Sequence, residues 1–140
     1  MGDLNRFHVA QEYDYETALS EIKQGRKKSH WMWYIFPQIA GLGKSSVAQY
    51  YAIADLKEAE EYLRDPILSQ RLIEISSALL ECDSCDAAEI FQWPDDMKLK
   101  SSMTLFSIAA PNCPVFNKVL EKFFGGQRDE LTINILNRLS

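Results

Sequence analysis

The sequence predicts an all-α, single-domain fold, a compact bundle of about six or seven helices with short connections. Three observations carry this. Helix start and stop signals recur along the whole chain. Behind each start, apolar residues return every third or fourth position, the period of a helix with one buried face. Only Trp31 to Phe36 has strand character, and one strand cannot make a sheet.

The elements follow in order. Residues 1–10 are expected to form a mobile N-terminal segment. Asp14 to Gln24 places Tyr15, Ala18, Leu19 and Ile22 on one face, and Gly25 supplies the stop. His30 to Phe36 reads as a short buried helix or an extended core segment. Asp55 followed by Glu58 resembles a capping box at the head of LKEAEEYLR. Asp65-Pro66 is an N-cap followed by a first-turn proline, with Leu68, Leu72, Ile75 and Leu79 as the stripe behind it. Pro94-Asp95-Asp96 opens a helix that runs to about Ala110, where Pro111 ends it. Asn112-Cys113-Pro114 opens the next, with Phe116, Leu120 and Phe123 inward and Gly125-Gly126 as the stop. Asp129 caps the last, which is expected to bury Ile133, Leu136 and Leu139.

The 140 residues suit one domain, 1–140, with one core, and 46% hydrophobic with 25% charged residues is ordinary globular composition. The net charge of −5 argues against a nucleic-acid partner, which calls for a basic surplus. Residues 51–90 hold three basic against ten acidic side chains, a local −7 that reads as a solvated helix surface. No apolar run is long enough to span a bilayer, so no membrane association is expected. Met1 to Arg6 lacks a signal-peptide pattern, and Arg6 stands where a myristoylation site needs Ser or Thr. With an odd count of three cysteines, reduced thiols and a cytoplasmic location are expected.

The densest segment is Lys28 to Tyr51, with His30, Trp31 and Trp33 within four residues, a break at Pro37 and a turn through Gly41 and Gly43 into Lys44-Ser45-Ser46. HWMWYIFPQIAGLGKSS, followed by Tyr50-Tyr51-Ala52-Ile53, resembles the signature of small bacterial proteins grouped as domain of unknown function 1810. Asp65-Pro66-Ile67-Leu68 with Arg71-Leu72, the run Asp96 to Phe106, and Phe123-Phe124-Gly125-Gly126 with Asp129 and Thr132 extend the resemblance over nearly the whole chain. It implies a compact, mainly helical fold and no particular activity. Some members carry a calpastatin label, which is set aside because such inhibitors are disordered and aromatic-poor.

Candidate chemistry concentrates in two places. Gly43-Lys44-Ser45 resembles the end of a phosphate-binding loop, but Gln38 stands where that pattern needs its first Gly. Backbone amides at a Gly-flanked turn, with Lys44 and Ser45, still suit an anion, and a plain N-cap is the alternative. Trp31 or Trp33 would stack on a flat group, and His30 and Gln38 would read polar atoms. Lys98, Ser101 and Ser102 form a polar patch at the start of the Asp96 helix, on a face that continues as Leu105 and Ala109. A Lys beside apolar walls needs a ligand or a carboxylate, with Asp95, Asp96 and Asp129 as the carboxylate candidates. A Ser102–Lys98 nucleophile pair is disfavoured for want of an oxyanion hole. Cys82-Asp83-Ser84-Cys85 sits among acidic residues, which opposes redox use, and has no second pair for zinc.

The expected function is binding of a small anionic ligand, phosphorylated or nucleotide-like. The pocket would lie between His30–Ser46 and the first turns of the Asp96 helix, lined by His30, Trp31, Trp33, Gln38, Gly41, Gly43, Lys44, Ser45, Lys98, Ser101 and Ser102. If there is chemistry, it would be metal-free and cofactor-free hydrolysis or transfer, with His30 the best catalytic candidate. The alternative is a non-catalytic interaction or regulatory module that docks through the acidic middle segment and Tyr50-Tyr51.

Overall fold

The computed structural model describes residues 3–139. They form nine helices: α1 (Asn5–Lys23), α2 (Met32–Ile35), α3 (Ser46–Tyr50), α4 (Leu56–Arg64), α5 (Pro66–Glu81), α6 (Ala87–Phe91), α7 (Asp95–Ala109), α8 (Val115–Phe124) and α9 (Glu130–Leu139). Among the described residues there is no strand, only one parallel bridge between Ile39 and Ile53. None of these helices is long and apolar enough to cross a membrane. The six longer helices are those the sequence announces. Of the three short helices, α2 lies within the His30–Phe36 segment expected as a short buried helix or extended core, while α3 and α6, of five residues each, are placed by packing rather than periodicity.

The centre of the fold is α7. It packs against α4, α6, α8 and α9, while α5 packs against α1, α4 and α8. Leu99, Ser102, Met103, Leu105 and Phe106 are all buried, so α7 is enclosed on most sides, its apolar residues and its small Ser and Thr side chains alike. Its inner end is aromatic: Phe106 lies 5.3 Å from Tyr62 of α4 and 5.9 Å from Phe116 of α8, ring centre to ring centre. Side chains close the helix ends. Asp65 accepts from the amides of Ile67 and Leu68, both at 3.0 Å, with Pro66 in the first turn. Asp55 accepts from Glu58 N at 2.9 Å, and the Glu58 carboxylate returns to accept from Ala54 N at 2.8 Å. Lys122 of α8 closes the far end of α5 by donating to the carbonyls of Leu79, Leu80 and Cys82.

Two expectations are corrected. Residues 5–10 are not a separate segment but the first turns of α1. Phe7 is fully buried, Arg6 donates to the carbonyls of Tyr50 and Ala52, and His8 Nε2 lies 2.7 Å from Asp65 Oδ2. The inward stripe is Phe7, Gln11, Tyr15, and its polar member hides it from a search for apolar spacing. Gln11 is buried because it donates to Tyr34 O (2.7 Å) and to the Tyr62 hydroxyl (2.9 Å). In α9, Leu136 is buried as expected, but Ile133 is only half-buried and Leu139 is exposed. Thr132 takes the inward place, donating its hydroxyl to Asp129 at 2.7 Å.

The α1–α2 turn is organised by Glu21. Its buried carboxylate accepts from the amides of Lys28 (2.7 Å) and Ser29 (2.9 Å), from the Ser29 hydroxyl (2.5 Å) and from the Trp31 indole (2.9 Å). Burial opposes the charge, but hydrogen bonds from Ser29, Lys28 and Trp31 outweigh it and hold the group at about 2. A carboxyl depressed in the folded state stabilises above its unfolded value of 4.5, and that contribution is lost as pH falls toward about 2. The linked stability is on the order of 3 kcal/mol. Urea denaturation of Glu21→Gln at neutral pH is therefore expected to show a loss of that order. Its stability should also fall less steeply between pH 5 and pH 3 than that of the parent. Parallel pH profiles for the two proteins would refute the role given to Glu21.

Candidate functional site

After α2 the chain runs extended to Ile39. There Ile53 N donates to Gln38 O and Ala40 N donates to Ile53 O, both at 2.8 Å. This bridge joins two segments that diverge above it, Gln38–Gly43 on one side and Ala48–Ala52 on the other. Between them lies a cleft of about 100 Å³ lined by Trp33, Gln38, Gly41, Gly43, Gln49 and Tyr51, among others. Its width depends on Gly43. A Cβ there would sit 2.6 Å from the Ala48 Cβ, closer than atoms can approach, so only glycine lets the turn and α3 come together. Gly41 has φ +104°, a conformation that other residues rarely adopt.

The second wall is fixed from α1. Arg6 donates to Tyr50 O and Ala52 O at 2.8 Å each and lies 3.4 Å from the Glu58 carboxylate. Tyr51 is wedged against Tyr34 (5.0 Å), Tyr50 (4.8 Å) and Phe7 (6.0 Å), ring centre to ring centre. Burial and the neighbouring Tyr50 raise the Tyr51 phenol above its ordinary range, so it stays a neutral donor. Tyr34 donates to Asp14 and is likewise raised, first by burial and then by that carboxylate.

The two expected segments meet through Trp33. Lys98 Nζ sits 5.1 Å from the centre of the Trp33 ring and 3.2 Å from Asp95 Oδ1. Asp95 holds a second lysine through its other oxygen: Lys27 Nζ lies 2.9 Å from Oδ2 and 5.0 Å from the Trp31 ring centre. One carboxylate at the head of α7 thus anchors two lysines, each placed on one Trp of the His30–Trp33 motif.

The sequence-derived candidates divide by position. Trp33, Gln38, Gly41 and Gly43 line the cleft. Lys98 stands on Trp33, and Lys44 is exposed on the turn beyond Gly43. Trp31 is fully buried in the core with its indole committed to Glu21, which leaves no ring surface for a ligand. His30 is exposed and is no part of the lining, although its carbonyl accepts from Tyr34 at 3.2 Å. Ser45 accepts from Ala48 N at 3.1 Å as the N-cap of a five-residue helix. Ser101 donates to Met97 O and Asp129, and Ser102 is fully buried with no hydrogen-bond partner among the described residues. Asp129 caps α9, so Asp95 is the partner of Lys98.

Tyr51 and Gln49 also line the cleft. Gln49 and Arg6 were not singled out as site residues from the sequence, whereas Tyr51 sits inside the signature and Asp95 was one of the carboxylates expected to partner Lys98. Larger hollows exist, up to about 500 Å³ beside Lys100 and Arg128, but they are more open. Cys82 donates to Ile22 O, burial raises its thiol, and all three cysteines are free. Among the described residues no cluster of three or more His, Cys, Asp or Glu is arranged for a metal ion.

The family described as "Protein of unknown function (DUF1810)" matches residues 1–136. The crystal structure of the conserved hypothetical protein Rv1873 from Mycobacterium tuberculosis is similar with a TM-score of 0.94 at 42% sequence identity, over 96% of each chain. No curated protein matches the sequence.

The Asp95 clasp has an asymmetric consequence. The Lys27 side chain is 8% exposed and that of Lys98 is 26% exposed. Asp95→Asn leaves a buried ammonium without its counter-charge and is expected to cost roughly 3 kcal/mol. Lys98→Met removes a partly solvated pair and should cost less than about 1 kcal/mol. Equal losses in chemical denaturation would show that Lys27 does not depend on Asp95.

Proposed function

This chain belongs to the DUF1810 family, and we propose that it binds a small anionic ligand in the cleft between Trp33 and Tyr51. One observation carries the reading: the cleft presents donors that the protein itself does not use. Among the described residues, no hydrogen bond is made by the Gln38 carboxamide or the Tyr51 hydroxyl, and none by the amides of Gly41 and Gly43. The half-buried Gln38 and Tyr51 side chains, with the exposed Gly41 and Gly43 amides beside them, suit an acceptor-rich ligand. Lys44 on the turn and the net positive Lys27–Asp95–Lys98 cluster behind Trp33 favour negative charge. At about 100 Å³ the cleft holds one compact group, so a phosphorylated or nucleotide-like ligand would place only its phosphate or its base inside. The support extends to binding. His30, expected as the catalytic candidate, contributes no side chain to the lining.

A second reading, an interaction surface, is favoured by Tyr50, Tyr13 and Val9, which are 60%, 81% and 53% exposed. Arg6, one turn before Val9 and two turns before Tyr13 on α1, donates to the Tyr50 carbonyl.

Thermal-shift screening against small carboxylates, sugar phosphates and nucleotides tests the ligand reading, with Lys44→Ala and Gly43→Ala as controls. A ligand at about 100 times its dissociation constant stabilises by roughly 2.7 kcal/mol, a shift of several degrees. The expected result is a shift from at least one anion, weakened in Lys44→Ala and lost in Gly43→Ala. A panel with no shift, or a shift that Gly43→Ala leaves unchanged, would remove the cleft as the binding site.

A further inference from the structure

Three properties of the cleft narrow its ligand beyond "small anion". The first is size. Sites for drug-sized ligands run to several hundred Å³, and about 100 Å³ admits one ring or one small acid group with its immediate attachment. The second is flatness. Trp33 and Tyr51 give the lining its aromatic surface, and ring-to-ring contact rewards a conjugated, planar guest over a puckered one of equal area. The third is the kind of donor. Within the lining, the groups without partners are neutral: one carboxamide, one phenol and the amides of Gly41 and Gly43, while the Lys44 ammonium stands exposed on the turn outside the lining. The nearest lysine on α7, Lys98, is already matched to Asp95, and no arginine lines the cleft. A doubly charged phosphate is typically met by arginine forks or several lysines, whereas a single delocalised negative charge is satisfied by neutral donors.

From these we infer that the cleft selects a single-ring aromatic or heteroaromatic monocarboxylate. The ring lies against Trp33, and the carboxylate accepts from the Gln38 carboxamide and the amides of the Gly41–Gly43 turn. This rests on the cleft being the ligand site, and it assigns that site a ligand class. The Tyr51 hydroxyl serves as a further donor to the carboxylate or to a ring substituent. Trp93, although exposed, is no part of this surface.

The test is a titration of the full chain followed by proton–nitrogen correlation NMR. It reads the Trp33 indole N–H, assigned by its absence in Trp33→Phe, and the amides of Gly41 and Gly43. The probes are benzoate, nicotinate, cyclohexanecarboxylate, inorganic phosphate and adenosine monophosphate. Benzoate and nicotinate are expected to move all three resonances. Cyclohexanecarboxylate, equal in charge but puckered, should bind roughly tenfold more weakly, the scale of an aromatic contact. In Gln38→Leu, benzoate should weaken by a similar factor while the spectrum remains that of a folded protein.

The ligand series on the unmodified chain decides the matter if that variant fails to fold. Equal binding of benzoate and cyclohexanecarboxylate at these resonances overturns the aromatic selection and leaves the cleft as a ligand site. Tighter binding of phosphate or adenosine monophosphate at the same resonances overturns the carboxylate assignment with the same remainder. No movement with any probe overturns this inference together with the ligand reading of the cleft.

Discussion

A buried carboxylate holds this molecule's most informative segment in place. Glu21 accepts four hydrogen bonds from three consecutive or near-consecutive groups, Lys28, Ser29 and Trp31. An ionised carboxylate inside a protein is tolerated only when its lone pairs are filled, and here they are filled by the turn that it shapes. Trp31 is thereby fixed as a core residue, packed near Phe36 and Phe91. With Trp31 directed inward, α2 begins at Met32 and Trp33 falls on the other side of the single turn. The half-buried placement of Trp33 is thus a downstream effect of Glu21. The floor of the cleft follows by chain continuity, since Phe36 to Ile39 has only one direct path to the bridge with Ile53.

The opposite wall depends on a different charge. Arg6 reaches from the first turn of α1 to the carbonyls of Tyr50 and Ala52 and to Glu58. Those carbonyls lie at the C-terminal end of α3 and in the short irregular stretch after it, where no helix partner is available to them. The guanidinium, with its fixed fork of donors, satisfies several acceptors at once and fixes the spacing of α1 from Tyr51. Two side chains of α1, Glu21 near one end and Arg6 near the other, therefore set the two walls. The long helix acts as a ruler between them, and the rigidity of the cleft is inherited from α1 packed on α5.

Much of the fold was legible because the chain marks its longer helices in local chemistry. Asp55, Asp65-Pro66 and Asp129 start helices, and Gly25 and Gly125 stop them, all within one turn of the observed ends. What was illegible is long-range. The head of α1 was missed because its inward position is Gln11, a residue whose burial makes sense only once Tyr34 O and Tyr62 are beside it. The site was half legible for the same reason. Trp33, Gln38 and the glycines are neighbours in sequence. Tyr51, in contrast, joins them through the Ile39–Ile53 bridge, and Asp95 meets Lys27 across 68 residues, as their numbers show. No periodicity encodes either pairing.

Residue type by itself does not rank the candidates, and partner status does. Trp, His, Ser and Lys suggest chemistry by their names, yet a polar group can serve a ligand only if the fold has not already consumed it. Trp31 gives its N–H to Glu21, Ser45 its lone pair to Ala48, Ser101 its proton to Met97 and Asp129, and Lys98 its charge to Asp95. What remains is a plainer set: a glutamine, a tyrosine and a glycine turn. These are neutral groups in a narrow space, and they impose shape and hydrogen-bond direction more than charge. The lysines then act at one remove, setting the potential around Trp33 while their own bonds stay with Asp95. In the proposed ligand reading, such a cleft would discriminate through planarity and through acceptor geometry, with charge supplying attraction that is common to every small acid.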